Sequence, residues 1–170
     1  MYNYLLLHSN NISIASVLTS VAIAYPEEVE EAMLPLLSME EFYEWDLNRA
    51  LQESSTLAAL DFEIPFAQKE RREANQLPHR KKYMRGLGDF IVDYQFNIRR
   101  LNPEIHKLFD KLQTRIKSDD IIWKKRLTEI DIRKWEVKEY DEKKGGYIIQ
   151  PKYENEVIEF VDSNKRVFNK

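Results

Sequence analysis

The chain has 170 residues, 43% of them hydrophobic and 32% charged, with a formal net charge of −3 at pH 7. These values are typical of a soluble, helix-rich globular protein that can bury one core. There is no cysteine and there are only four glycines, which excludes disulfides, thiolate nucleophiles, cysteine-ligated zinc and a glycine-rich phosphate loop.

The first predicted element is an uncharged run from Ile12 to Tyr25. Fourteen residues are too few to cross a bilayer, which needs about twenty apolar residues. A helix that is apolar on nearly all sides is usually surrounded by other helices, so we expect Ser16 and Val21 to be buried. Asn10 or Asn11 is the expected cap. The preceding residues lack the basic segment of a signal peptide, so we expect none.

The second predicted helix starts at Pro26, because proline is favoured in a first helical turn and cannot continue the preceding helix. Its expected buried stripe is Val29, Met33, Leu36 and Leu37. A third helix is predicted over residues 38–53, with Ser38 and Glu41 forming a capping box. Residues 53–66 do not keep the helical spacing of apolar residues, so this segment predicts a loop or a short helical turn.

The middle of the chain predicts a polar helix over residues 67–76 and a longer helix from His79. The longer helix should end at Asn102–Pro103, where a further helix begins. Asp119 or Asp120 then caps residues 121–130. The expected apolar stripes of the two longer helices are Leu87, Phe90, Ile91, Tyr94, Ile98 and Leu101, and Ile105, Leu108, Phe109, Leu112 and Ile116.

The end of the chain predicts a β-hairpin, because two strand-like segments flank Gly145–Gly146. Trp135 and Val137 alternate as in a strand, whereas Tyr140 follows less regularly. A lone hairpin is only marginally stable, so it should pack on the helices or on a part of the protein outside this chain. A short helix follows, with Val157, Ile158, Phe160 and Val161 as its apolar residues.

Together these elements predict a mainly α fold of packed helical hairpins, either solenoid-like or an irregular bundle, with a small C-terminal β-hairpin. We expect a helical domain over residues 1–130. Residues 131–170, the hairpin and terminal helix, should pack on that domain.

Charge is distributed unevenly along the sequence. Residues 1–68 contain eleven acidic residues and one basic residue, whereas residues 69–170 contain eighteen acidic and twenty-five basic residues. Oppositely charged halves can attract each other within one molecule or between stacked units. An uneven but solvated surface is the alternative interpretation.

A basic cluster lies between residues 69 and 100 and can neutralise nucleic-acid phosphates, while Tyr83 could stack on a base. The alternative is a solvated helix surface that faces the acidic half of the chain. The candidate contact residues are Arg71, Arg72, Arg80, Lys81, Lys82 and Arg85.

Only one carboxylate–lysine cluster suggests catalysis. Asp131, Glu136 and Lys138 have a spacing that some metal-dependent nucleases use to hold Mg²⁺, but an amphipathic strand with polar residues facing water has the same spacing. The three histidines lie far apart in sequence and form no zinc-binding pair. We therefore expect no catalytic residue, no metal site and no cofactor in this chain.

Three stretches carry a resemblance to a known family: SNNISIASVLTSVAIAYPEEVEEAMLPLLSMEEFYEWD, AQKERREANQLPHRKKYMRGLGDFIVDYQFNI and IIWKKRLTEIDIRKW. They resemble the helical region downstream of the nucleotide-binding module in large bacterial ATP-binding proteins of the NACHT/STAND kind. The resemblance spans most of residues 8–137, but the ATP-binding residues of that family have no counterpart here.

The resemblance implies a fragment that serves as a non-enzymatic helical scaffold or interaction segment in a signalling or defence-type protein. Its expected partners are the other domains of the same parent protein. Nucleic acid is an alternative partner, no membrane contact is expected, and the expected location is the cytoplasm.

Overall fold

The computed structural model describes residues 1–8, 11–59, 69–70, 73, 76–78, 86–117, 119–143 and 145–168. At residues 3, 52–59 and 165–168 it describes the backbone alone. The described chain is mainly helical and ends in a two-stranded antiparallel hairpin followed by one more helix. This architecture confirms the predicted fold class, a mainly α protein with a small C-terminal β-hairpin.

The helices and strands follow one another in a simple order. The helices are α1 (Tyr2–His8), α2 (Ile12–Ala24), α3 (Pro26–Val29), α4 (Leu34–Leu37), α5 (Glu40–Ala59), α6 (Leu87–Asn97), α7 (Asn102–Arg115), α8 (Ile121–Ile130) and α9 (Asn155–Phe168). The strands are β1 (Trp135–Asp141) and β2 (Gly146–Pro151), and short 3₁₀ turns cover Glu30–Met33 and Ile132–Lys134.

Contacts group the chain into two compact units, residues 1–105 and residues 106–170. The division that the sequence suggests after residue 130 stays a prediction. Of the predicted polar helix over residues 67–76, the structure describes residues 69, 70, 73 and 76, and all four are helical.

The core of the first unit forms where α2 packs against α1, α5 and α6. The predicted apolar stripes of the second helical segment and of α6 supply most of it, because their spacing places these side chains on one side of each helix. The fully buried members include Ala22, Ile23, Met33, Leu36, Leu37, Leu87 and Ile91.

Local hydrogen bonds explain where α2 begins and how its polar residues are accommodated. The side chain of Asn11 caps the helix by accepting a hydrogen bond from the Ser13 amide at 2.8 Å, as predicted. The hydroxyls of Thr19 and Ser20 donate to backbone carbonyls one turn earlier, at 2.9 and 3.0 Å. These bonds let an uncharged helix carry hydroxyls at little cost.

The predicted capping box at the start of α5 is wrong. Ser38 ends α4, and its hydroxyl donates to the carbonyl of Pro35 at 2.7 Å. The helix starts at Glu40, so Ser38 lies one residue too early to act as its cap. The helix also continues to Ala59, beyond the point where the sequence predicts a loop.

A buried carboxylate joins α5 to α6. Asp46 is only 5% exposed, and one of its oxygens accepts from the Leu87 amide at 2.5 Å. The other oxygen accepts from Nε of Arg49 at 2.8 Å. Because Gly86 offers no side-chain cap to α6, Asp46 satisfies the first amide of that helix from 41 residues away.

The end of α6 adopts a left-handed conformation at Arg99, whose φ is +63°. Its amide donates to the carbonyl of Tyr94 at 3.0 Å, and the same carbonyl accepts from the Ile98 amide at 3.0 Å. Glycine adopts this conformation without the steric cost that a side chain imposes.

We therefore expect Arg99→Gly to raise the free energy of unfolding by about 1 kcal/mol and the melting temperature by about 2–4 °C. Thermal unfolding followed by circular dichroism measures this change. Arg99→Ala is the matched control, because it removes the bond from Nε to the Phe96 carbonyl without relieving the backbone. Equal stability of the two variants would show that the left-handed backbone conformation at Arg99 does not destabilise the protein.

The core of the second unit lies between α7, α8 and α9. Asp120 caps α8 by accepting from the Trp123 amide at 3.1 Å, which confirms one of the two predicted caps. An ion pair between Lys124 and Glu156 connects α8 to α9 at 2.5 Å. The buried apolar side chains are Phe109, Leu112, Trp123, Leu127, Ile130 and Val157.

The hairpin contains one β-bulge that decides which residues share a face. Val137 pairs with Ile149 and Glu139 pairs with Ile148, so Lys138 is an extra residue in β1. Residues that pair directly lie on the same face. The resulting hairpin apolar face consists of Trp135, Val137, Tyr140, Tyr147, Ile149 and Pro151.

Candidate functional site

The predicted nucleic-acid contacts lie outside the described residues. This applies to Arg71, Arg72, Arg80, Lys81, Lys82 and Arg85. Nucleic-acid binding through this segment therefore stays a prediction.

Asp131, the carboxylate of the alternative nuclease interpretation, has a capping role in the structure. Its side chain is 2% exposed, and Oδ1 accepts from the Arg133 amide at 3.1 Å. The Arg133 guanidinium also donates to the same carboxylate, at 2.9 Å from Nε to Oδ1 and 2.7 Å from Nη2 to Oδ2. Both carboxylate oxygens are thus engaged at a position where a metal ion would need them free.

Arg133 extends this cluster to α7. Its Nη2 donates to Asp110 at 2.8 Å and to the carbonyl of His106 at 3.4 Å. The hydrogen bond from Arg133 lowers the pKa of Asp110, and the bonds to Asp131 and Asp110 raise the pKa of Arg133. The charges therefore stabilise each other, as in a structural ion-pair network.

His106 lies beside this cluster. Burial and the positive charge of Arg133 lower the pKa of His106, while Asp131 and Asp110 oppose that shift. The imidazole is therefore neutral at pH 7. Its Nε2 atom is buried and makes no hydrogen bond to any described residue.

The other two members of the proposed nuclease cluster do not join Asp131 in a metal site. Glu136 pairs with Lys152 at 3.4 Å, and the bulge at Lys138 interrupts the alternation that would place Lys138 beside Glu136. Among the residues that the structure describes, no group of three or more histidine, aspartate or glutamate side chains could hold a metal ion.

Helix α2 presents an exposed apolar stripe, which was not predicted from the sequence. The prediction that α2 is buried on nearly all sides is wrong: Val17 is 63% exposed and Val21 is 36% exposed. Burial is confined to the opposite side, at Leu18, Thr19, Ala22 and Ile23. The physical reason is that α1, α5 and α6 pack against only part of its circumference.

This surface, here called the α2 stripe, consists of Ile14, Val17, Val21 and Tyr25, which lie at helical spacing. No acidic or basic residue other than His8 occurs among the first 25 residues of a chain that is 32% charged. An exposed helix face normally carries charges, so an uncharged apolar stripe is typical of a surface that binds another protein segment.

No single helix that the structure describes is long and apolar enough to cross a bilayer. Ile12–Ala24 and Pro26–Leu37 reach the required length only together, and they meet at a bend of 110°.

Family models and curated protein sequences were the two sources of comparison for the chain. No protein-family model matches the chain, and no curated protein shows significant sequence similarity to it.

Proposed function

We propose that this chain is a non-enzymatic helical scaffold, an interaction segment of a larger bacterial ATP-binding protein of the signalling or defence kind. The observation that carries the proposal is the exposed, uncharged α2 stripe on a helix whose other side lies in the core. Exposure of such a surface to water is unfavourable, and covering it lowers the free energy.

The occupant that fits the α2 stripe is another domain of the same parent protein. An uncharged apolar surface provides no electrostatic steering and suits a permanent contact better than a transient encounter. The parent protein is inferred from the resemblance of residues 9–46, 67–98 and 121–135 to the NACHT/STAND helical region. The same proposal places the protein in the cytoplasm, which suits a sequence without cysteine.

Cysteine labelling tests this proposal, because the chain has no native cysteine. Val17→Cys introduces one thiol into the α2 stripe, and its rate of reaction with a maleimide is measured in two contexts. These are the 170-residue chain and the polypeptide encoded by the complete reading frame of the gene. We expect the thiol to react at least about tenfold more slowly in the longer protein.

Asn48→Cys is the control, because it places a thiol at an exposed position on α5. We expect this control to react at similar rates in both contexts. Equal reactivity of Val17→Cys in the two contexts would contradict a covered stripe. A reading frame that encodes no nucleotide-binding module would contradict the proposed parent protein.

A further inference from the structure

A row of three cations runs along the exposed side of α7. Lys107, Lys111 and Arg115 recur at every fourth residue, and all three are exposed. Four residues advance a helix by about 6 Å and carry it only about 40° beyond one full turn, so these side chains share one face. This surface is here called the α7 cationic stripe. The opposite side of the helix carries the buried Phe109 and Leu112.

The α7 cationic stripe has no carboxylate partner among the residues that the structure describes. The carboxylate of Asp110, which lies on the same helix, accepts instead from Arg133 at 2.8 Å. The other acidic residue of α7 is Glu104, in its first turn before the stripe begins. Beyond the helix, the exposed Lys117 and Asp119 carry opposite charges. The exposed face of α7 is therefore positively charged from its second turn onwards.

This arrangement of charges is unfavourable for the helix itself. Like charges four residues apart repel and destabilise a helix, and Lys111 forms two such pairs, with Lys107 and with Arg115. By contrast, α8 places opposite charges at this spacing, in the ion pair between Lys125 and Glu129. The helix dipole favours a cation in the last turn, which explains Arg115 but not the two lysines. An anionic ligand on the stripe would relieve the repulsion.

We infer that the α7 cationic stripe binds the phosphate backbone of a nucleic acid. The site is separate from the basic cluster between residues 69 and 100, because all three cations lie on one described helix of the second unit. The inference goes beyond the scaffold proposal and does not rest on it.

The spacing of the cations favours a nucleic acid as the ligand. Phosphates of one strand in a duplex recur about every 3.4 Å along its axis, so cations about 6 Å apart lie near every second phosphate. Lys134 adds a positive charge beside α7, since its Nζ donates to the uncharged Gln113 side chain at 2.7 Å. A helix that lies on a membrane turns an apolar face to the lipid, whereas the apolar side of α7 is buried in the protein.

The number of cations sets the expected strength of binding. Three phosphate contacts correspond to a slope of about −2.7 in a plot of the logarithm of the binding constant against that of the salt concentration. Affinity from the stripe should therefore fall about 40-fold between roughly 50 and 200 mM salt. Contacts to phosphates alone do not read the base sequence, so we expect a dissociation constant of about 1–100 µM near physiological salt.

Fluorescence anisotropy of a labelled DNA duplex of about 20 base pairs, mixed with the 170-residue chain over that range of salt, tests the inference. Lys111→Glu is the decisive variant, because it reverses the charge at the centre of the stripe. We expect it to weaken binding at least about tenfold and to make the salt slope less steep by about one. It should also raise the melting temperature of the free protein, because both repulsive pairs become attractive.

Lys143→Glu is the matched control, because it makes the same change of charge at an exposed lysine in the turn between β1 and β2. This variant should bind the duplex within about twofold of the wild type. Binding that survives Lys111→Glu, or that Lys143→Glu weakens equally, would overturn the inference. A wild-type chain that does not bind the duplex at about 50 mM salt would also overturn it.

A poly-glutamate peptide with the same number of charges as the duplex is the competing anion. We expect it to displace the duplex only weakly, because its carboxylates do not keep the regular spacing of backbone phosphates. Displacement at an equal concentration of charge would overturn the nucleic-acid assignment and indicate an acidic protein segment as the ligand.

Discussion

Asp46→Ala is expected to lower the free energy of unfolding by about 3–5 kcal/mol. The substitution removes a 5% exposed carboxylate that accepts from both the Leu87 amide and Arg49. The amide at the start of α6 would then lie in the core without this acceptor, and the guanidinium would lose its ion-pair partner. Urea unfolding followed by circular dichroism measures the change.

Two further substitutions separate the role of Asp46 from general effects on α5. Asp46→Asn keeps an acceptor oxygen but loses the charge, so its stability should lie between those of the wild type and the alanine variant. Glu44→Ala changes an exposed carboxylate on the same helix and should alter stability by less than about 0.5 kcal/mol. Similar effects of Asp46→Ala and Glu44→Ala would contradict the capping role.

Asp131→Ala is expected to destabilise the second unit by a similar amount, about 3–5 kcal/mol. The carboxylate holds the turn after α8 through the Arg133 amide and fixes the guanidinium that reaches Asp110 on α7. Its removal leaves Arg133 with the exposed Asp110 and the longer bond to the His106 carbonyl. Thermal and urea unfolding of the variant measure the loss.

Asp119→Ala is the control for this prediction, because Asp119 is an exposed aspartate just before α8. We expect it to have little effect on stability. If Asp131→Ala proves equally mild and Mg²⁺ raises the melting temperature of the wild type, the metal-ligand interpretation of Asp131 would be correct instead.

Helix positions were predictable from the sequence where the signal is local. Asp120 caps a helix whose first residue follows it directly, and the stripe in α6 depends only on helical spacing. The cap that Asp46 gives to α6 could not be predicted in this way, because 41 residues separate the donor from the acceptor. Nothing in the sequence around Gly86 indicates which residue caps α6.

Burial was harder to predict than helix position. An uncharged segment such as α2 indicates that its surface is covered, but composition alone does not say whether the cover comes from this chain. In the part of the chain that the structure describes, the buried side of α2 is the side with Leu18 and Ala22. The hairpin gives a second example. Tyr140 does not follow the strand alternation of Trp135 and Val137, and only the extra residue Lys138 in β1 explains why it still lies on the same face.

The bulge also determines how this hairpin tolerates insertions and deletions over evolution. In a regular strand, adding or removing one residue reverses the orientation of every side chain beyond that point. Here the loss of one residue between Val137 and Tyr140 would leave a regular ladder with Tyr140 still opposite Tyr147. A one-residue deletion elsewhere in β1 would turn one of the aromatic or aliphatic side chains to the polar face. Length variation among related sequences should therefore be tolerated at position 138 and selected against in the rest of the strand.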